Sequence, residues 1–182
     1  MTPRHLCRFL IIIAAVTFAV FAAVGLLLRD KESAPPTLVK GERTWSGLTR
    51  NHVTTKVSYP MNPPVGGDHH PVWLNCDAKV YTKQVPNEHA VHSLEHGAVW
   101  VSYNDEASPR DVQRLSKKVS ATPYSFMSPY KSQDAPIILT AWGHQLKLDT
   151  AFDRRFGEFM EKYVLGEQTQ ERGSPCADGI TP

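Results

Sequence analysis

Of the eight histidines in this 182-residue chain, three, His89, His92 and His96, fall within one eight-residue span. They sit in the run E-H-A-V-H-S-L-E-H-G, Glu88 to Gly97. Residues three, four and seven apart share one face of a helix, so a short helix here aligns three imidazoles in a stripe. Imidazoles four apart chelate a transition metal readily, and further ligands could come from His52, His69 or His89. The expected ligand set is His69, His92 and His96, with His52, His89 and Met127 as lesser candidates. Three nitrogens without a thiolate suit copper or zinc, and a Met127 thioether within reach would favour copper.

The same run contains H-x-x-E-H, His92 to His96, the inverted zinc-protease motif. In that motif two histidines bind zinc and the glutamate, here Glu95, activates water. Three fixed positions recur by chance, and such enzymes are far larger than this domain. The reading is therefore a metal-binding or metal-delivery protein, with a metallohydrolase using Glu95 as the alternative. A third reading stays open, in which the histidines only fasten a loop and the domain is a metal-free envelope interaction module. Glu88 and Glu95 could then solvate the turn or accept a histidine N–H. His70 and His144 read as exposed or turn residues and are left out. Ser93 has no nucleophile-elbow pattern around it.

The elements that must position these groups follow from pattern. Gly97 is a helix stop, and Ala98 to Tyr103, rich in β-branched and aromatic residues, reads as a strand leaving it. Before the helix, His52 to Cys76 is a long loop punctuated by Pro60, Pro63, Pro64, Gly66 and Gly67, with a brief strand at Val57 to Tyr59. Trp73 can pin that loop to the core. After the strand, Ser108-Pro109 opens a helix with an N-cap serine and proline at its first position, running to about Ala121. Ser125 to Met127, Pro136 to Trp142 and Gln145 to Leu148 read as strands. A last helix, Ala151 to Leu165, buries Phe152, Phe156, Phe159, Met160 and Tyr163 and stops at Gly166. This order implies an α+β fold, a largely antiparallel sheet with helices on one face, preceded by one transmembrane helix.

That last expectation rests on Phe9 to Leu28, twenty residues without a charge behind Arg4 and Arg8. About twenty apolar residues cross a bilayer, and the positive flank stays in the cytoplasm. The division is a cytoplasmic tail at 1–8, an anchor in the lipid bilayer at 9–28, a linker at 29–50 and an extracytoplasmic domain at 51–182. A cleaved signal peptide is the alternative, but Val20-Phe21-Ala22 is a poor cleavage site in mid-segment. A net charge of +2, with no arginine-rich tract, makes no case for nucleic acid. An envelope protein is the remaining kind of partner. Cys7 precedes the anchor, whereas Cys76 and Cys176 follow it into a compartment where disulfides persist. A bridge between them closes a loop of roughly 100 residues and stabilises by roughly 4 to 5 kcal/mol on the chain-entropy model. The competing role for Cys76 is a metal thiolate. With two exported cysteines and no C-x-x-C, the disulfide is expected.

Four motifs occur in a fixed order: Pro63-Pro64-Val65-Gly66-Gly67-Asp68-His69, Val85-Pro86-Asn87-Glu88, His92-Ser93-Leu94-Glu95-His96-Gly97 and Ala141-Trp142-Gly143. Together they resemble a bacterial membrane-anchored family, domain-of-unknown-function number 3105. The likeness runs from about His52 to Cys176. It implies an amino-terminal membrane segment and an extracytoplasmic domain. It also places His69, His92, Glu95 and His96 on signature positions, and His52 on a further one. His70 and His89 look like additions of this chain. The family name carries no activity, so the resemblance bears on the site and not on a reaction.

Overall fold

The computed structural model describes residues 37–182. Along the chain come β1 (Arg43–Thr44), β2 (Lys79–Val80), α1 (Asn87–Glu95), β3 (Val99–Tyr103), α2 (Pro109–Ser120), β4 (Ser125–Pro129), β5 (Ile137–Ala141), β6 (His144–Leu148) and α3 (Arg155–Tyr163). The strands form one mixed sheet in the order β1-β6-β5-β3-β4-β2. The pairs β1–β6, β3–β5 and β5–β6 are antiparallel. The pairs β3–β4 and β2–β4 are parallel. A parallel neighbour needs a crossover, and α2 supplies it between β3 and β4. The fold is α+β, but the sheet is more mixed than the expected antiparallel one. The short strands β1 and β2 carry no period long enough to read from sequence.

Side-chain alternation in the central strands makes two cores. Val99 and Val101 of β3, Met127 of β4, Ile137 and Leu139 of β5 and Leu146 of β6 face α2 and α3, meeting Leu115, Val119, Phe156 and Phe159. Trp100 and Phe126, one residue out of phase, face the other way and pack with Ala90, Val91 and Leu94 of α1. The helices therefore lie on both faces of the sheet, which corrects the expected one-faced arrangement. The central strands β3, β4 and β5 are buried on both sides, and each fully buried large apolar side chain contributes about 1.5–3 kcal/mol.

Local signals match where they were chemical. The Ser108 side chain caps α2 by accepting the Asp111 N–H at 3.1 Å. The last helix is shorter than its apolar run, and Phe152, expected in the core, is 47% exposed beneath the guanidinium groups of Arg110 and Arg114. The segment Val57 to Tyr59 is irregular rather than a strand.

Leu38–Pro182 form one unit, so residues 38–50, expected as the end of a linker, belong to the folded domain. Arg43 and Thr44 pair with β6, and Trp45 N–H donates to Gly143 O at 2.9 Å. The buried Glu42 carboxylate accepts from Val39 N at 2.9 Å, from His144 Nδ1 at 2.6 Å and from the Tyr163 hydroxyl. Burial and this carboxylate raise the Tyr163 pKa well above its ordinary value. At the far end, Cys76 and Cys176 form a disulfide across 100 residues of sequence. The tail then returns along the loop, with Ile180 N–H donating to Trp73 O and Asn75 N–H to Ile180 O. Cys76 is therefore no thiolate ligand. The expected tail at 1–8 and anchor at 9–28 lie outside the described residues, as does the linker up to residue 36. Among the described residues no helix is long and apolar enough to cross a membrane.

Candidate metal centre

Two backbone segments are laid against α1, and each brings histidines with it. The Glu88 side chain in the first helical turn accepts Val57 N–H at 3.1 Å and Lys56 Nζ at 3.2 Å. Its carbonyl accepts His70 N–H, the His89 carbonyl accepts Leu74 N–H, and Ser93 Oγ donates to Leu74 O at 2.7 Å. The proline- and glycine-rich loop is thus stitched along the helix. A parallel bridge pairs His52 with His69, through Val53 N–H to His69 O at 2.8 Å and His69 N–H to Asn51 O at 3.0 Å. Asp68 Oδ1 reinforces the bridge by accepting from the Asn51 backbone and side chain. Gly66 has φ +150°, and a Cβ there would lie 2.7 Å from Leu48 Cδ1 and 3.2 Å from Trp142, so the loop fits only as glycine.

His52, His69, His92 and Glu95 each present one donor atom, all within 4.8 Å of one another. The His52 ring centroid lies 5.0 Å from those of both His69 and His92, and these two are 4.9 Å apart. His69, His92 and Glu95 are buried, while His52 opens to solvent. A second set, His92, His96 and Glu171, meets the same 4.8 Å limit.

The ring protons decide what these nitrogens can do. His69 Nδ1 lies 2.8 Å from Gly67 O, His92 Nδ1 2.7 Å from His70 O and His96 Nδ1 2.8 Å from Pro175 O. A carbonyl has no proton to give, so each Nδ1 donates and each neutral ring turns a bare Nε2 toward the cluster. Donation of the remote N–H to a backbone carbonyl is how metal-binding histidines are oriented. His69 Nε2 is fully buried and lies 2.8 Å from Glu95 Oε2, its ion-pair partner when the ring is protonated. Two lone pairs at that distance repel, so a cation, either a proton or a metal ion, belongs between or beside them. The residues therefore fit a metal: three imidazole nitrogens and one carboxylate oxygen converge within 4.8 Å.

The electrostatics divide the cluster. Burial opposes charge on His69, but its contacts with Glu95 and Gly67 and the charges of Glu95 and Glu171 prevail, holding its pKa above the usual histidine value. Burial pushes His92 down to about 4, with the neighbouring His96, His69 and His52 acting the same way. His96 is lowered mainly by burial. Burial would raise Glu95, but its contact with His69, the nearby imidazoles and Arg50 keep it below the usual carboxylate value. His92 and His96 are thus neutral and Glu95 ionised near neutral pH, as ligands must be, whereas His69, held toward its protonated form by Glu95, must release a proton when a metal binds.

The structure brings His69 and His92 together, and adds His52 and Glu95 to them. His96 stands beside His92, with ring centroids 4.6 Å apart, but its donor groups with Glu171 rather than with His69. His89 turns away: its Nδ1 donates to Val72 O, and its ring lies tilted against His70, with centroids 4.1 Å apart. Met127 packs in the core on the opposite face of the sheet, so its thioether is not at the cluster. Glu171 was invisible in the sequence, being one glutamate of a polar tail. Only the disulfide, which returns that tail to the helix, hints that it comes near.

These features define a histidine- and carboxylate-lined centre on one helix of an α+β domain. The model of the family described as "Protein of unknown function (DUF3105)" matches residues 52–178, and the chain belongs to that family. Comparison with curated proteins and with solved structures found no match.

Proposed function

We propose that this is a membrane-anchored, extracytoplasmic protein that binds one zinc or copper(II) ion on His52, His69, His92 and Glu95. The observation that carries the proposal is the convergence of one donor atom from each of His52, His69, His92 and Glu95, all within 4.8 Å of one another and three of the four residues buried. Three nitrogens and one oxygen suit zinc or copper(II). With Met127 elsewhere, no thioether tilts the choice toward copper. The anchor is residues 9–28, and an envelope protein that exchanges the ion is the expected partner.

One observation favours a second reading. His92, His96 and Glu171 form a two-histidine, one-glutamate set, the ligand type of several zinc peptidases. Glu95 would then be the base. Against this, Glu95 Oε2 rests on His69 Nε2 and is a member of the first ligand set itself. Binding is therefore the preferred reading.

Titration of the metal-stripped full chain in detergent with zinc tests it. One equivalent should bind, and His92→Ala should abolish binding while His144→Ala, in the separate Glu42 network, should not. Wild-type protein that takes up no metal would leave the metal-free module. For topology, protease added to intact spheroplasts should digest the domain, and protection would overturn the orientation.

A further inference from the structure

The donor atoms around α1 form two sets, and both need His92. His92 has one nitrogen to offer, because its Nδ1 proton is donated to His70 O at 2.7 Å. An ion on either set therefore takes the atom that the other set requires. The two sets are alternative positions for one ion, sharing His92 Nε2 as a pivot.

Their surroundings differ in charge. Beside the first set, the half-exposed Arg50 guanidinium lies 3.8 Å from Glu95 Oε1 and repels a cation approaching from that side. Beside the second, the Glu171 carboxylate is 45% exposed and lies 3.6 Å from His96 Nε2, presenting negative charge to solvent. Glu171 is not a loose tail residue. Its N–H donates to Glu95 O at 2.9 Å, and the Cys76–Cys176 bridge follows five residues later. Pro175, next to that bridge, supplies the carbonyl that orients His96.

We infer that a divalent transition-metal ion is taken up on His92, His96 and Glu171, then passes by way of His92 to His52, His69, His92 and Glu95. Glu171 is the loading ligand. The final position has four donors to the loading position's three, which sets the direction. This inference rests on the metal-binding reading above.

Trp73 lies beside His92 and so reports an ion in either position, whereas Trp142 lies beside His69, which belongs to the final position alone. The Trp73 ring lies 5.2 Å from His96 and 5.9 Å from His92, whereas Trp142 lies 5.9 Å from His69. Copper(II) is paramagnetic and quenches an adjacent indole. In stopped-flow mixing of the metal-stripped full chain with copper(II), Trp73 should quench first and Trp142 second, ending at one ion per chain. The first phase should be absent in Trp73→Phe. His69→Ala should keep the first phase and lose the second. Glu171→Gln removes the attracting charge and should slow loading by about tenfold or more. Glu167→Gln, which changes a neighbouring exposed carboxylate outside both sets, should load at the wild-type rate. Two copper ions per chain, Trp142 quenching before or together with Trp73, or unchanged loading in Glu171→Gln would each overturn the inference. Wild-type protein that takes up no copper would instead overturn the metal-binding reading beneath it.

Discussion

Replacing Glu95 by glutamine tests the centre before any metal is added. His69 Nε2 and Glu95 Oε2 lie 2.8 Å apart with their side chains 0% and 3% exposed. A contact between charged groups contributes about 1.5–3 kcal/mol, and a neutral amide restores about 1, so the net loss is about 0.5–2 kcal/mol. The pH window follows from the two shifts. The lowered Glu95 contributes above its unfolded value, about 4.3, and that contribution is lost as pH falls through the folded pKa. The raised His69 contributes fully below its unfolded value, about 6.5, and that contribution is lost as pH rises through the folded pKa. Both hold together in mildly acid solution. With chelator present, calorimetry at about pH 5.5, between the two unfolded values, should find Glu95→Gln less stable than wild type. At about 2–4 °C per kcal/mol for a domain near this size, the melting temperature should fall by about 1–8 °C. At about pH 9, well above the histidine range, the penalty should vanish, because a glutamine N–H can donate to the neutral His69 Nε2. Zinc affinity should fall by about 100-fold, or roughly 2.7 kcal/mol, with the loss of an anionic ligand. An equal loss of stability at both pH values, or unchanged zinc affinity, would refute the reasoning.

Two further outcomes concern the frame around the centre. Reducing Cys76–Cys176 should destabilise the domain by about 4 to 5 kcal/mol on the chain-entropy model, measured by denaturant titration, while one zinc stays bound. Zinc release on reduction would show that the tail holds the final position. A domain beginning at Asn51 should be less stable than one beginning at Leu38 by at least about 2 kcal/mol, because the Glu42 partners His144 and Tyr163 are left unpaired. Equal stability in urea would return residues 38–50 to the linker.

What could be read in advance was what local chemistry dictates. The Ser108-Pro109 cap, the Gly97 stop and the alternating strands each carry their cause in neighbouring residues, and each appears close to where it was expected. The sidedness of the helices was not legible, because Trp100 and Val101 are both apolar and only their packing separates one core from the other. β1 and β2 are defined by partners 100 and 47 residues away rather than by any period of their own. At the centre, helical spacing brought His92 and His96 to notice, and the paired glycines brought His69. His52 and Glu171 arrive by a backbone bridge and a disulfide-held tail, contacts across long separations that spacing cannot show. Equal spacing also promised too much for His89, which the Val72 carbonyl and His70 turn aside.

The central claim is one metal ion on three imidazoles and a carboxylate. X-ray absorption of the full chain loaded with one equivalent of zinc reads that shell directly. The account predicts four nitrogen and oxygen scatterers at about 2.0–2.2 Å with the outer-shell signature of three imidazoles, and no sulfur at about 2.3 Å. A sulfur scatterer, or a shell of water oxygens with fewer than two imidazoles, would contradict it.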